Sequence, residues 1–422
     1  MAIFQRGLYG LTAAQRSIET ISNNVANSQT VRFKRADALF ADMYSNTASG
    51  LNSPGQGVQV ADIKQDFSQG AITLTNSNTD LAIDGTGFFK VLGQDGQTLY
   101  SRNGQFSLDR DGFLVNAQGQ NLQATLWDET LGRATGETVN LQIPKGPMPP
   151  KFTERVDYTI NFSSSADPID PAVNPFDPLL PETYNHSTSI TVFDNTGVAK
   201  VLTTYFQKQP EADPANPQPG DTWQAFATLD GVAVQFDDGT GTGTGTNSIE
   251  LNFLANGLPD PATIDEFSRG LLLPSDPVSG NPFGEPNVGP NANLTLVEYD
   301  LSKATQFGGR FQVVALSQDG FESGDFLNQS VAGDGRVVLT YTNNQQVTIA
   351  QIPLFNFTNP NGLIPVGGNS FVRHPDAGEE LNSLVNRFDA RAQIVGGAVE
   401  DSNVDLTKEL VDMISTQRVY QA

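Results

Sequence analysis

The sequence predicts a mainly β protein with α-helical coiled-coil ends, built as nested β-domains around an inserted acidic β-domain. Three observations predict it. Apolar residues recur every three to four positions at both ends of the chain. Between the ends the period drops to two, and turn dipeptides containing Gly recur. Charge and proline are unevenly spread: residues 151–300 carry 21 acidic and 5 basic residues, a local charge of −16, and 16 of the 25 prolines.

Residues 1–28 read as one helix. Phe4, Leu8, Leu11, Ala14, Ile18, Ile21 and Val25 form a narrow apolar stripe, and Gln5, Gln15, Arg16, Glu19 and Asn23 cover the other side. Residues 402–422 repeat the theme with Leu406, Leu410, Met413, Ile414 and Tyr420, opened by a capping-box-like Ser402 and Asp405. No Gly or Pro closes this helix before Gln421-Ala422, so the protein is expected to continue further. Helices of this length are marginal alone in water, and two of them bury only one seam. The leftover apolar surface is expected to be covered by other chains, leaving the ends poorly ordered in a monomer. A membrane-surface helix and an Arg-bearing targeting peptide are competing readings of the first stripe. The second stripe favours a helical bundle.

Residues 29–71 are expected to form an extended linker with a short helix and a hairpin. From Leu81 to Leu122, alternation broken at Asp84-Gly85, Asp95-Gly96, Asn103-Gly104 and Asp111-Gly112 predicts a β-meander, since these dipeptides supply the positive φ of tight hairpins. Pro144, Pro147, Pro149 and Pro150 mark a boundary. Residues 72–147 and 303–395 then make a split β-domain, and residues 148–302 the acidic insert. Within the insert, Ser189–Phe193 and Val201–Phe206 read as strands, and Gly239–Thr246 as a mobile loop tip. Val337–Tyr341 and Val347–Ile352 flank a turn at Asn343-Asn344. Flexible joints are expected near Ser45–Gly57 and Pro144–Pro150.

Composition excludes several functions. The 422 residues hold 24 Lys+Arg against 47 Asp+Glu, a formal charge of −23, which opposes binding to nucleic acid or anionic membrane. There is no Cys, so disulfides, thiol catalysis and Cys-built zinc sites are excluded. The only two histidines, His186 and His374, are 188 residues apart, which rules out a multi-His metal site within one chain. No run of about 18 apolar residues exists, so no transmembrane helix is expected, and the N-terminus lacks the apolar core of a cleaved secretory signal. No phosphate loop, nucleophile elbow or zincin helix occurs. Asp109-Arg110-Asp111-Gly112 is read as a hairpin turn, because the third acidic position and the terminal Glu of a calcium loop are missing, and Asp237-Asp238-Gly239 and Asp319-Gly320-Phe321-Glu322 are read as solvated turns ahead of weak calcium sites. No catalytic residue, cofactor or metal is expected.

The stretch Asn23-Asn24-Val25-Ala26-Asn27-Ser28-Gln29-Thr30-Val31-Arg32-Phe33-Lys34 resembles the N-terminal signature of bacterial flagellar rod and hook proteins. The resemblance continues at Phe40–Tyr44, Gly85–Phe89 and Tyr100–Phe106, and closes at Ser402–Leu406 and Glu409–Val411. Tyr184–Thr188 with Val192-Phe193-Asp194 resembles a segment of hook-type members in particular. One departure is Arg32, where the family usually has Gly. Gly suits a tight positive-φ turn out of the helix, so Arg32 is expected to leave the helix in a more extended form and to enlarge a basic patch with Lys34 and Arg35.

The resemblance implies a structural subunit of the flagellar hook, an extracellular tube of many copies that bends while transmitting torque from rod to filament. It implies export without a cleaved signal peptide by the type III apparatus. The implied partners are fellow copies, a rod protein, a hook cap protein and hook–filament junction proteins, with no nucleic acid and no membrane insertion. On this reading the assembly interface comprises Phe4, Leu8, Leu11, Ile18, Ile21, Asn23, Asn24, Val25, Asn27, Arg32, Phe33 and Lys34 at one end, and Leu406, Leu410, Met413, Ile414 and Tyr420 at the other. A distal rod protein, a secreted calcium- or glycan-binding β-protein and a carbohydrate-active enzyme are the rival expectations. The acidic insert weighs against the first.

Overall fold

The computed structural model describes residues 2–43, 57–210, 221–237, 245–274, 294–383 and 392–421, and the side chains of 2–6, 273–274 and 294–296 lie outside that description. The side chain of Phe4, most of the expected joint at 45–57 and the Gly/Thr tip at 239–244 therefore lie outside that description. The fold is mainly β with a helix at each end, as the two periodicities predict. It divides into two compact units: residues 1–146 with 326–422, and residues 147–325.

In the first unit, α1 (Ala2–Ala26) is followed by a hairpin of β1 (Ala36–Met43) and β2 (Gly57–Gln65). The described part of 29–71 holds this hairpin and no helix. The chain ends in α2 (Leu406–Gln421), and α1 packs along both α2 and the hairpin. The body is a sheet in which Phe326–Val331, Arg336–Tyr341, Gln346–Gln351, Asn121–Asp128, Phe89–Leu92, Thr98–Ser101, Ser370–Val372 and Ile364–Gly367 are successive neighbours. The two halves of the chain therefore interleave in one sheet. Asn344 takes φ 60° between its expected strands, which Asn tolerates better than most residues.

The expected meander is only half present. Asp95-Gly96 and Asp111-Gly112 do turn local hairpins. The strand Leu81–Asp84 instead pairs with Gln393–Gly396 from the far end of the chain. Leu81, Ala82 and Ile83 are all fully buried, so this strand is covered on both faces, and a meander with one wet face does not supply that. Gly104 serves close approach: a Cβ there would lie 1.8 Å from the Leu81 carbonyl oxygen. A rim of aromatic rings closes this core, with Tyr100 edge-on to Phe357 at 4.8 Å and Phe88 against Phe371 at 5.9 Å.

The second unit holds one large sheet, with His186–Phe193, Ala199–Lys208 and Thr222–Leu229 as antiparallel neighbours. Arg155–Ser163 alternates half-buried and buried positions, as a strand with one face on a core must. Trp223, Phe162, Phe206, Phe236 and Phe253 fill that core. Tyr158 and Tyr299 are buried with them, each hydroxyl 3.1 Å from the Thr204 hydroxyl. The expected limit of the insert at residue 302 is corrected to 325. Thr305–Phe307 and Gln312–Gln318 both pair with Arg155–Ser163, and these long-range pairings leave no local mark in the sequence.

Candidate functional site

Both terminal helices join the body of the first unit at one buried cluster of charges. Glu400 ends the strand Ala398–Glu400, which pairs with Ile72–Leu74, and its carboxylate is fully buried. Its Oε1 accepts from Lys34 Nζ at 2.8 Å and from the Gly70 backbone N–H at 2.7 Å. Its Oε2 pairs with the Arg32 guanidinium and lies 3.6 Å from Arg102 Nη2. Lys34 Nζ also donates to the Ser68 carbonyl at 2.5 Å. Three cations thus surround one carboxylate.

Arg32 keeps the geometry that Gly would take. Its φ is 64°, and its backbone N–H donates to the Glu400 carbonyl at 3.0 Å. The expected extended exit is therefore wrong. The left-handed conformation costs a non-Gly residue about 1–2 kcal/mol, and the side chain's burial against Glu400 offsets it. The expected basic patch is also absent from the surface. Arg32 and Lys34 are buried against Glu400, and Arg35 pairs with Asp37 and with Glu409.

Electrostatics in the cluster follow from burial. Desolvation, then the like charges of Arg102 and Arg32, pull Lys34 down to about 7, with Asp66 opposing. Desolvation, then Arg102, lowers Arg32 as well. Burial also works against Arg35, but Asp37, Glu409 and Asp66 outweigh it and hold its pKa above the ordinary value. Asp66 is held below the usual carboxylate range: burial opposes ionisation, and the N–H and hydroxyl of Ser68, then Arg35 and Lys34, overcome it.

A second set of contacts ties the helices together. Asn24 is buried; its Nδ2 donates to the Ala36 carbonyl at 2.8 Å and to Glu409 Oε2 at 3.1 Å, and its Oδ1 accepts from the Ala36 N–H at 3.0 Å. Asn403 Oδ1 accepts from the Arg35 N–H at 2.8 Å while its Nδ2 donates to the Asp66 carbonyl. Helix α2 is capped by Asp405, whose Oδ1 accepts from the N–H groups of Thr407 and Lys408. Ser402 makes only a local turn to Val404 N–H, so the expected capping box is replaced by a single Asp cap.

The fully buried part of the two helices is small, and most of it is polar. On α1 the buried positions are Ala13, Thr20 and Asn24, and on α2 the buried residue is Glu409. A cleft of about 210 Å³ beside them is lined by both helices and the start of β1, with apolar Ile21 and Ala38 among polar residues such as Thr20, Asp412 and Thr416. This face lies one position, about 100°, round the helix from the apolar stripe. Leu8 and Leu11 on α1, and Leu406, Leu410, Val411, Ile414 and Tyr420 on α2, are each more than 40% exposed. Ile18, Ile21, Val25, Phe33 and Met413 are half-buried, as is Asn27, and Asn23 is exposed.

The structure thus splits the expected interface residues. It buries Asn24, Arg32 and Lys34 inside the chain and leaves most of the stripes open. Sequence reasoning missed Glu400 as the partner of Arg32 and Lys34, Glu409 as the partner of Arg35 and Asn24, and Arg102 as a third cation on Glu400. One signal was present: Glu400 closes the otherwise apolar run Ile394–Val399, and a carboxylate carried into a core needs a cation. The turn reading holds at Asp109–Gly112 but not at Asp319–Glu322, where the chain makes no turn: Asp319 pairs with Lys151 and Phe321 bridges to Lys151. Asp109 Oδ1 accepts from the N–H groups of Asp111 and Phe113, and Asp319 Oδ1 from those of Glu154 and Arg155. Asp238 lies outside the described residues.

Comparison with known proteins gives a consistent result along the chain. Residues 5–34 match the family described as "Flagella basal body rod protein", and residues 82–163 match "Flagellar hook protein FlgE/F/G D1 domain". Residues 156–321 match "Flagellar basal body protein FlaE D2 domain", and residues 395–422 match "Flagellar basal body rod FlgEFG protein C-terminal". The flagellar hook protein FlgE of Escherichia coli K12 is 34% identical over 99% of this chain and 95% of its own. That of Brucella suis is 31% identical over 100% and 94%, and that of Treponema pallidum 30% over 99% and 94%. The crystal structure of the Helicobacter pylori flagellar hook protein FlgE2 shares the fold at a TM-score of 0.54 and 13% identity, covering 76% of this chain and 98% of that one.

Proposed function

The chain belongs to the flagellar hook protein family, and from that premise we propose that many copies of it form a flexible, curved helical tube that carries torque between rod and filament. It is a structural subunit of the bacterial flagellar hook. The finer reading is that it carries out no catalysis and needs no cofactor. It leaves the cell through the type III export apparatus without a cleaved signal peptide, and it meets a rod protein, a hook cap protein and hook–filament junction proteins at the ends of the tube.

The observation that carries this reading is the exposure of the two stripes. Leu11 is 41% exposed and Ile414 53% exposed in a single chain, while the polar residues beside them are satisfied internally. An apolar stripe left open beside satisfied polar groups is suited to helices of neighbouring copies. Where the stripe of one copy meets a different surface of the next, the contact is heterologous and propagates into rings or helical filaments. Leu11→Asp combined with Ile414→Asp tests it. Electron microscopy of the concentrated double variant is expected to show no tubes, with hydrogen exchange unchanged in the second unit and at Ala36. Tubes forming as in the wild type would overturn the assignment of the stripes.

A further inference from the structure

The cluster around Glu400 has more charge than a static staple needs. Arg32, Lys34 and Arg102 face one carboxylate, and neither Nε nor Nη2 of Arg32 has a protein hydrogen-bond partner among the described residues. Replacing a buried ion pair with apolar groups is often neutral for stability, so a surplus of buried cations is costly and requires another explanation.

The location supplies one. Arg32 and Lys34 sit between α1 and β1, Gly70 and Ser68 lie in the segment after β2, Arg102 follows the strand Thr98–Ser101, and Glu400 precedes α2 by six residues. One carboxylate therefore ties the roots of both terminal helices to the β-body. We propose that this cluster is a proton-sensitive joint, which grips the roots of the two helices more tightly as a proton leaves Lys34.

The charges facing Lys34 come from every element packed on it. Glu400 lies on the return strand, Arg102 on the sheet body, Arg32 on its own turn and Asp66 after β2, with the Arg35–Glu409 pair closing the side toward α2. With Lys34 protonated, the three cations exceed Glu400 by two charges. With Lys34 neutral, the excess falls to one, and Asp66 stands nearby to compensate it. Lys34 titrates at about 7 when held and at the ordinary 10.5 when released. Between those values the released state binds more protons, so the held state gains as pH rises through that window and stays weaker below it.

Hydrogen exchange of the full chain, corrected for the intrinsic rate, tests this in a single copy, whether or not copies assemble. Peptides covering 27–35 and 398–405 report the joint, and 201–208 and 336–341 serve as controls. Protection of the joint relative to the controls is expected to rise on the order of 30-fold between about pH 6 and about pH 8.5. Lys34→Met is expected to make that profile clearly shallower than that of the wild type. Because Glu400→Gln leaves three cations uncompensated, it is expected to open the joint, and adding Arg32→Gly is expected to restore part of the protection. A flat wild-type profile, a Lys34→Met profile as steep as the wild type, or strictly additive losses for Glu400→Gln with Arg32→Gly would each overturn the proposal.

Discussion

Arg32 places two opposing terms on one residue, and substitution separates them. Arg32→Ala removes the guanidinium from Glu400 but keeps a Cβ at φ 64°. Arg32→Gly removes the guanidinium and the backbone strain together. Loss of one partner from a buried pair costs about 3–5 kcal/mol when the other is stranded. Glu400 is not stranded, because Lys34 and the Gly70 N–H remain, and losing a like charge relieves Lys34 and Arg102. A loss nearer 2–3 kcal/mol, the scale of one charged hydrogen bond, is expected for Arg32→Ala. Gly recovers about 1–2 kcal/mol of left-handed strain and returns about 0.4–1 kcal/mol through the entropy of the unfolded chain. Arg32→Gly is therefore expected to be more stable than Arg32→Ala by about 1 kcal/mol. Opening free energies from hydrogen exchange at residues 27–35 and 398–405 measure the difference, and the second unit serves as an internal reference. If Arg32→Ala equals or exceeds Arg32→Gly in stability, the left-handed turn at residue 32 carries no strain for the ion pair to offset.

Two further outcomes are expected. Asn24→Ala strips the Ala36 N–H and carbonyl of their side-chain partner and frees Glu409 Oε2, so it is expected to lower the stability of the helix–hairpin contact by about 2–4 kcal/mol; faster exchange of the Ala36 amide, with the sheet body unchanged, checks it. Burial opposes ionisation of Asp319, but Lys151 and the N–H groups of Arg155 and Glu154 outweigh that and hold its carboxyl below the usual range. Its contribution is therefore complete above the ordinary carboxylate value and disappears as pH falls through its lowered one, and Asp319→Asn is expected to flatten the acid limb of a thermal melt of the second unit.

Local signals were legible wherever the physics is local. The stripes of α1 and α2 follow from a 3.6-residue period, and the turns at Asp95-Gly96, Asp111-Gly112 and Asn343-Asn344 follow from backbone needs of two residues. What the sequence hid is contact order. Leu81–Asp84 finds its partner about 310 residues later, and Asn24 meets Glu409 across 385; no spacing rule reaches that far. The acidic stretch marked a separate unit but missed its C-terminal limit, because Gln312–Gln318 is not acidic and is assigned only by its pairing with Arg155–Ser163.

The same distinction explains why the interface residues divided as they did. A motif that recurs in a family mixes residues kept for assembly with residues kept for folding, and spacing does not separate them. Burial does. Asn24, Arg32 and Lys34 have their hydrogen bonds and charges met inside one chain, so a neighbouring copy has little left to offer them. Leu11, Leu410 and Ile414 have unburied apolar area and no internal competitor for it, so each contact there lowers the free energy of association by about 25 cal/mol per Å² removed from water. On the proposed assembly, polar residues at the roots set where the helices point, and apolar residues along the stripes bind what lies beside them. A tube assembled this way needs its roots formed first, because stripes on loosely held helices would forfeit in ordering entropy much of what they gain by packing.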